Sequence, residues 1–157
     1  MNYAEEIGKI LIEQNMDIST VESCTGGLLS SKLTDISGSS AYIILNLVTY
    51  ANSAKEKMLG VTINEEGVVS ANCALQMARG LQELTHSYIC VSTTGIAGPT
   101  GGSKEKPVGL MYSTIYTPSR FQTYQIRLEP TLPRIEIKER FTEEVLKNIY
   151  DFLKKWY

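Results

Sequence analysis

Two short stretches hold side chains able to do chemistry together. "ESCTGG", residues 22–27, sets Ser23, Cys24 and Thr25 directly before Gly26 and Gly27. "TYANSAK", residues 49–55, holds Tyr50 and Lys55. A serine becomes a nucleophile only beside a group that takes its proton. The one histidine, His86, stands in "LTHSY", between the end of a predicted helix and the start of a predicted strand. That position suits a surface or helix C-capping residue, so a Ser–His or Cys–His pair has no evident base. Lys55 is the remaining candidate. It serves as base only when neutral, and burial or neighbouring positive charge must lower its pKa for that. Tyr50 offers a hydroxyl to hydrogen-bond the serine or the amine.

Each of these residues also has a plainer role. Ser23 falls between a predicted strand and a predicted helix, where serine is a good N-cap. Lys55 reads equally as a solvated helix charge like Lys57. Cys24 is either a second candidate nucleophile, intrinsically stronger than serine, or a small buried residue. The geometry of a cap and of a catalytic elbow coincide, because N–H groups at a helix start also stabilise an oxyanion. Gly26 and Gly27 would let a ligand approach the backbone closely.

A third stretch, "TTGIAGPTGGSKEKPVG" (93–109), carries Gly95, Gly98, Gly101 and Gly102. A glycine-rich loop after a strand exposes N–H groups that can cradle phosphate or carboxylate. It is not a Walker A loop, because Ser103 precedes Lys104 and Glu105 follows it, and no GxGxxG is present. A loop this long inside a compact domain points to function rather than to a mere connection.

The elements that must position these stretches follow from periodicity. Tyr3, Ile7, Ile10 and Leu11 predict a helix over 3–15. "MDISTVES" reads as a short strand, and 26–34 as a helix with Leu28, Leu29 and Leu33 on one side. "AYIILNLVTY" (41–50) is a nearly continuous apolar run of strand length, expected of a buried strand. "NSAKEKML" reads as a helix stopped by Gly60. Ser70 precedes a helix with Ala74, Leu75, Ala78 and Leu81 on its face. "SYICVSTTG" and "VGLMYSTIY" are buried strands, and Phe121–Leu128 suits a strand nearer an edge. A last helix runs from about Arg134, with Phe141, Val145, Ile149 and Phe152 as its stripe. Alternating strands and helices predict an α/β fold, with a mostly parallel but mixed sheet. The three polar stretches all follow strands, so they would meet at the carboxyl ends, where such sheets bind ligands.

The 157 residues fit one domain and can bury a core without disulfide or metal staples. A net charge of -2, with no basic cluster, speaks against a nucleic-acid partner. No apolar run reaches the roughly 20 residues of a membrane span, and "MNYAEEIGKI" has no signal-peptide core. Cys24, Cys73 and Cys90 are odd in number and widely spaced, as free thiols of a cytoplasmic protein would be, and do not form a zinc pattern.

"ESCTGGLLSSKLTDISGSSAYI", "VTYANSAKEKMLGV", "GVVS" and "TTGIAGPTGGSKEKPVGLMY" occur in an order and at separations that resemble the C-terminal domain of the CinA competence/damage-inducible proteins. The resemblance covers about residues 4–153. It is to the stand-alone, PncC-type members, without the larger domain associated with ADP-ribose pyrophosphatase activity. It implies a three-layer α/β/α sandwich, often a homodimer. The implied reaction is deamidation of nicotinamide mononucleotide to nicotinate mononucleotide, without metal or cofactor. Carried over by motif, Ser23 is the nucleophile, and Tyr50 and Lys55 complete the catalytic set. Cys24, Thr25, Gly26, Gly27, Thr94, Gly95, Gly98, Gly101 and Gly102 would line the substrate. Its phosphate would rest on the Gly95–Gly102 loop or on the turn holding Ser39 and Ser40. Two departures stand out. Ala71, Asn72 and Cys73 follow "GVVS" where family members commonly show an acidic pair. "TLPRIEIKER" places Arg134 and Lys138 where an arginine pair is usual, making Arg134 and Arg140 the candidates for holding an anionic group. The alternative is a non-catalytic nucleotide-binding module linked to competence or DNA damage.

Overall fold

The computed structural model describes all residues, Met1–Tyr157. Five strands, β1 (Ile18–Glu22), β2 (Ile43–Val48), β3 (Ile89–Gly95), β4 (Leu110–Tyr116) and β5 (Phe121–Arg127), form one sheet in the order β2-β1-β3-β4-β5. β1 pairs parallel with both β2 and β3, while β3–β4 and β4–β5 are antiparallel. The sheet is mixed, as expected of two strands joined by a short return after residue 107.

Helices cover both faces. α1 (Tyr3–Glu13), α2 (Leu28–Thr34) and α5 (Arg134–Trp156) pack together on one side. Their buried residues, among them Ile7, Leu11, Leu29, Leu33, Phe141, Val145, Ile149 and Phe152, join Ile18, Ile89, Val91, Met111 and Ile115 from the sheet in the larger core. On the other face, α4 (Ala71–Thr85) lays Cys73, Met77 and Leu81 against Val21 and Cys90, with α3 (Asn52–Leu59) beside it. At about 25 cal/mol per Å² of apolar surface, these two dry seams hold the layers in register. The result is the three-layer α/β/α sandwich.

Three local expectations change. β2 is an edge strand, not a buried one: Ile44 and Val48 are exposed although the run is apolar but for Asn46. An apolar run reports strand length and two partly covered faces, but not whether a second neighbour pairs with its edge. α2 begins at Leu28 rather than residue 26, and its N-cap is Gly27 at φ +102, with no side-chain cap bond from Ser23. Leu75 is only half-buried, and Met77 takes the central place on the α4 face. Elsewhere the local signals act as read. Ser70 Oγ accepts from Cys73 N to cap α4, Gly60 ends α3 at φ +67, and His86 closes α4 in the left-handed region at φ 57.

The chain goes from β1 to β2 through α2 on one face, then returns past β1 to β3 through α3 and α4 on the other. β1 is therefore the strand where the winding reverses, and such a reversal opens a crevice at the carboxyl ends. Ser23 follows β1, Thr49 and Tyr50 follow β2, and the glycine-rich loop follows β3.

Candidate active site

A cavity of about 250 Å³ lies in that crevice. It is walled by Ser23 and Cys24 after β1, Tyr50, Asn52 and Lys55 around the start of α3, and Val68 and Val69 before α4. Residues Thr94–Gly98, Thr100 and Gly101, at the end of β3 and in the loop after it, and Arg134 at the start of α5 complete it. Side chains far apart in sequence meet because their segments all leave the sheet at one end.

Lys55 stands in the first turn of α3. A helical Cβ leans toward the helix N-terminus, which carries this side chain back under the turn at Thr49–Tyr50. It is 1% exposed. Nζ donates to Thr49 O at 3.0 Å, to Tyr50 O at 3.3 Å and to Ser23 Oγ at 3.2 Å. None of the ion pairs of the chain involves it. Burial without a carboxylate partner pushes its pKa below the usual lysine value; buried Cys73 and Cys24 act weakly in the opposite sense. The two carbonyls can hold the two hydrogens of the neutral amine, which turns its lone pair to Ser23.

The Ser23 elbow is built by a residue that motif reading passed over. Glu22, the last residue of β1, is 0% exposed. Its carboxylate accepts from Thr25 Oγ1, from the backbone N–H of Gly27, Leu29 and Ser30, and from Ser30 Oγ. Glu22 thus does the capping assigned to Ser23, and an anionic acceptor also suits the positive end of α2. Ser23 is left free to face Lys55. The signal was a lone acidic residue ending an otherwise uncharged strand, Ile18–Glu22, directly before the serine.

The amides at the elbow are mostly committed. Gly26 N donates to Ser23 O, Leu28 N to Thr25 O, and Gly27 N to Glu22. Those of Cys24 and Thr25 make no hydrogen bond within the chain. Cys24 lines the cavity and its N–H, one residue after the nucleophile, has no partner within the chain, which makes it the candidate donor for an oxyanion. Its sulfur is a different matter. Burial pushes the Cys24 thiol up to about 12, and Sγ lies against Thr93. A thiol with so little thiolate is a poor nucleophile.

Tyr50 is placed otherwise than its hydroxyl suggested. The phenol is 60% exposed and accepts from Arg134 Nη2 at 2.9 Å; only its backbone carbonyl touches Lys55. Arg134 also donates from Nη1 to Gly98 O at 2.6 Å, joining α5, the β2–α3 turn and the glycine loop across the mouth. Thr94, Gly95, Gly98 and Gly101 line the cavity. Several expected binding residues do not. Thr25 is buried on Glu22 and Thr93, and Gly26 and Gly27 face a separate recess beside Lys138. Ser39 and Ser40 sit in a 3-10 turn before β2. Gly102 packs on Val108, where a Cβ would come within 2.8 Å of the Val108 nitrogen. Arg140 pairs with Glu136 on the exposed side of α5. In these cases the loop or helix turns away from the cavity, and sequence proximity to it does not control that. Asn52, Val68, Val69 and Ala97 line the cavity without having been singled out, although all stand inside quoted stretches.

Residues 1–153 match the CinA C-terminal domain. The chain belongs to this family. The CinA domain here is 43% identical to a CinA-like protein of Chlorobium limicola over 96% of the chain, and 42% identical to one of Chloroherpeton thalassium over 98%. It spans 37% and 38% of the length of those two relatives. Among solved structures, the competence/damage inducible protein CihA from Agrobacterium tumefaciens superposes with a TM-score of 0.80 at 36% identity, covering 99% of this chain and 93% of that one. A CinA superfamily protein from Klebsiella pneumoniae reaches 0.89 at 24% identity, covering 98% and 97%, and shows that the sandwich of this CinA domain persists at low identity.

Proposed function

We propose that the chain is a serine amidohydrolase that converts nicotinamide mononucleotide to nicotinate mononucleotide and ammonia. The observation that carries the chemistry is the Lys55 amine: desolvated, without a counter-ion and 3.2 Å from Ser23 Oγ. The identity of the substrate rests on the motifs shared with PncC-type members. It is consistent with a cavity holding apolar walls at Val68, Val69, Ile96 and Ala97 and a cation, Arg134, at its mouth.

In this reading Ser23, Lys55 and the Cys24 N–H divide the steps between them. Neutral Lys55 takes the Ser23 proton as Oγ bonds to the carboxamide carbon. The carbonyl oxygen becomes an oxyanion beside the Cys24 N–H; one such donor is worth ~10²–10³ in rate. Lys55 then protonates the nitrogen, the C–N bond breaks and ammonia leaves. Water attacks the nicotinoyl ester, giving its proton to Lys55. The ester C–O bond breaks, Ser23 recovers the proton and nicotinate nucleotide departs. Lysine alternates between neutral base and ammonium acid.

Ammonia release from nicotinamide mononucleotide by the purified protein tests the reading. Turnover lost in Ser23→Ala and retained in Cys24→Ala supports it, and the reverse pattern overturns the serine assignment. Relatives carry the name competence-damage inducible, and the second reading is a non-catalytic nucleotide-binding module linked to competence or DNA damage. Ligand binding without turnover by the native chain would select that one.

A further inference from the structure

The segment between α3 and α4 carries Val68 and Val69 into the cavity, yet it pairs with no strand and belongs to no helix. Its backbone hydrogen bonds must therefore go elsewhere. Four consecutive carbonyls there, Glu66 to Val69, all accept from side chains. Gly67 O accepts from Ser70 Oγ at 2.9 Å, and Val68 O from Thr94 Oγ1 at 2.7 Å. The first and last of the four, Glu66 O and Val69 O, both accept from the ammonium of Lys106.

Lys106 reaches them from the far end of the glycine-rich loop. Its own turn is closed by Ser103 N to Lys106 O at 2.8 Å and Lys106 N to Ser103 Oγ at 3.0 Å. Its ammonium lies 5.7 Å from the centre of the Tyr112 ring, a cation–π distance. Lys106 and Thr94 thus tie the Val68–Val69 wall to the loop that supplies Ile96, Ala97 and Gly98 to the same cavity. Neither Lys106 nor Thr94 hydrogen-bonds Ser23 or Lys55.

We propose that Lys106 is a positioning residue: by holding Glu66 O and Val69 O it sets the width of the slot between Val68–Val69 and Ile96–Gly98, and so the fit of the flat pyridine ring whose carboxamide must reach Ser23. This rests on the amidase reading. Charge-assisted bonds to carbonyls are stronger than neutral ones, so Lys106 supplies the strongest of the side-chain bonds that hold a segment without a ladder. The Ser23–Lys55 pair stays intact without it, and the loss should fall on KM more than on kcat.

Lys106→Met and Lys106→Arg are the test, with kcat and KM for nicotinamide mononucleotide measured beside peptide-resolved hydrogen exchange. Lys106→Met should raise KM about tenfold and change kcat less than threefold. Lys106→Arg, which keeps a donor for both carbonyls, should recover most of the affinity. Exchange should accelerate in residues 62–70 and 96–108 but not in α4 or α5. Unchanged KM, or a parallel fall of kcat and thermal stability, overturns the proposal. If the native chain releases no ammonia, the amidase reading fails by itself. Hydrogen exchange then decides the tie, and equal exchange in native and Lys106→Met protein overturns it.

Discussion

Two buried ionic side chains stand at the ends of neighbouring strands and are treated in opposite ways. Glu22, at the end of β1, meets five donors, three from backbone and two from hydroxyls. Lys55, just beyond β2, meets two carbonyls and one hydroxyl and no charge of opposite sign. A buried carboxylate so saturated is a structural anchor, since its desolvation is repaid at every lone pair. A buried ammonium that lacks a counter-ion is easily neutralised, and that is the property a base needs. The contrast separates scaffold from chemistry within one crevice.

The sharpest way to break the comparison is to remove each group in turn. Ser23→Ala and Lys55→Met should each lower ammonia release by about 10³-fold or more. Lys55→Met should leave stability in urea unchanged or raised, because it removes a buried charge without orphaning another. If Lys55→Met unfolds the chain, its role is structural and the contrast collapses.

Glu22→Gln should do the reverse. The amide brings two donors into a ring of five, and unfolding free energy should fall by about 3 kcal/mol. For a chain of this size that is a Tm lower by roughly 6–12 °C. A change of less than 1 kcal/mol by urea unfolding would show that α2 caps itself by other means.

The pH dependence follows from Lys55, and its sign is determined. Its native pKa lies below the ordinary 10.5, so kcat/KM should rise about tenfold per pH unit on the acid side. It should level off before 10.5 is reached. Between the lowered value and 10.5 the unfolded chain holds a proton that the native chain has released, so stability rises with pH there. The destabilising contribution of Lys55 is full below that window and gone above it. The stability gained by Lys55→Met should therefore be largest at low pH. A gain constant from pH 6 to 11 would show that Lys55 is not shifted.

The smallest effect belongs to Cys24. With its thiol raised to about 12, Cys24→Ala should change turnover less than threefold, and iodoacetamide at pH 7.5 should label the native protein slowly. Rapid labelling with parallel inactivation would return the sulfur to the chemistry.

Much of the site was legible because motif and strand end coincide. "ESCTGG" and "TYANSAK" each follow a strand, and the exclusion of His86 left Lys55 as the base. The elements were legible for the same kind of reason: caps at Ser70 and Gly60 and the α5 stripe are local signals, read within a turn or two. What escaped depends on how the chain turns back on itself or on contacts between distant segments. Glu22 looked like a strand residue, because its five donors lie three to eight residues on, beyond the elbow. Lys106 looked like one more loop charge, because its acceptors lie 37 and 40 residues earlier. Tyr50 and Arg134 were each assigned to substrate or nucleophile, and the structure joins them to one another.

By itself the sequence determined the family, the layered α/β fold and the candidate pair of Ser23 and Lys55, since these depend on residue type and periodicity along the chain. Tertiary structure decided which groups are starved of partners and which are saturated. Burial and hydrogen-bond supply at the strand ends are set by segments distant in sequence. They leave the Lys55 amine desolvated against Ser23, while the turn at the elbow folds the donors of residues 25–30 back around Glu22.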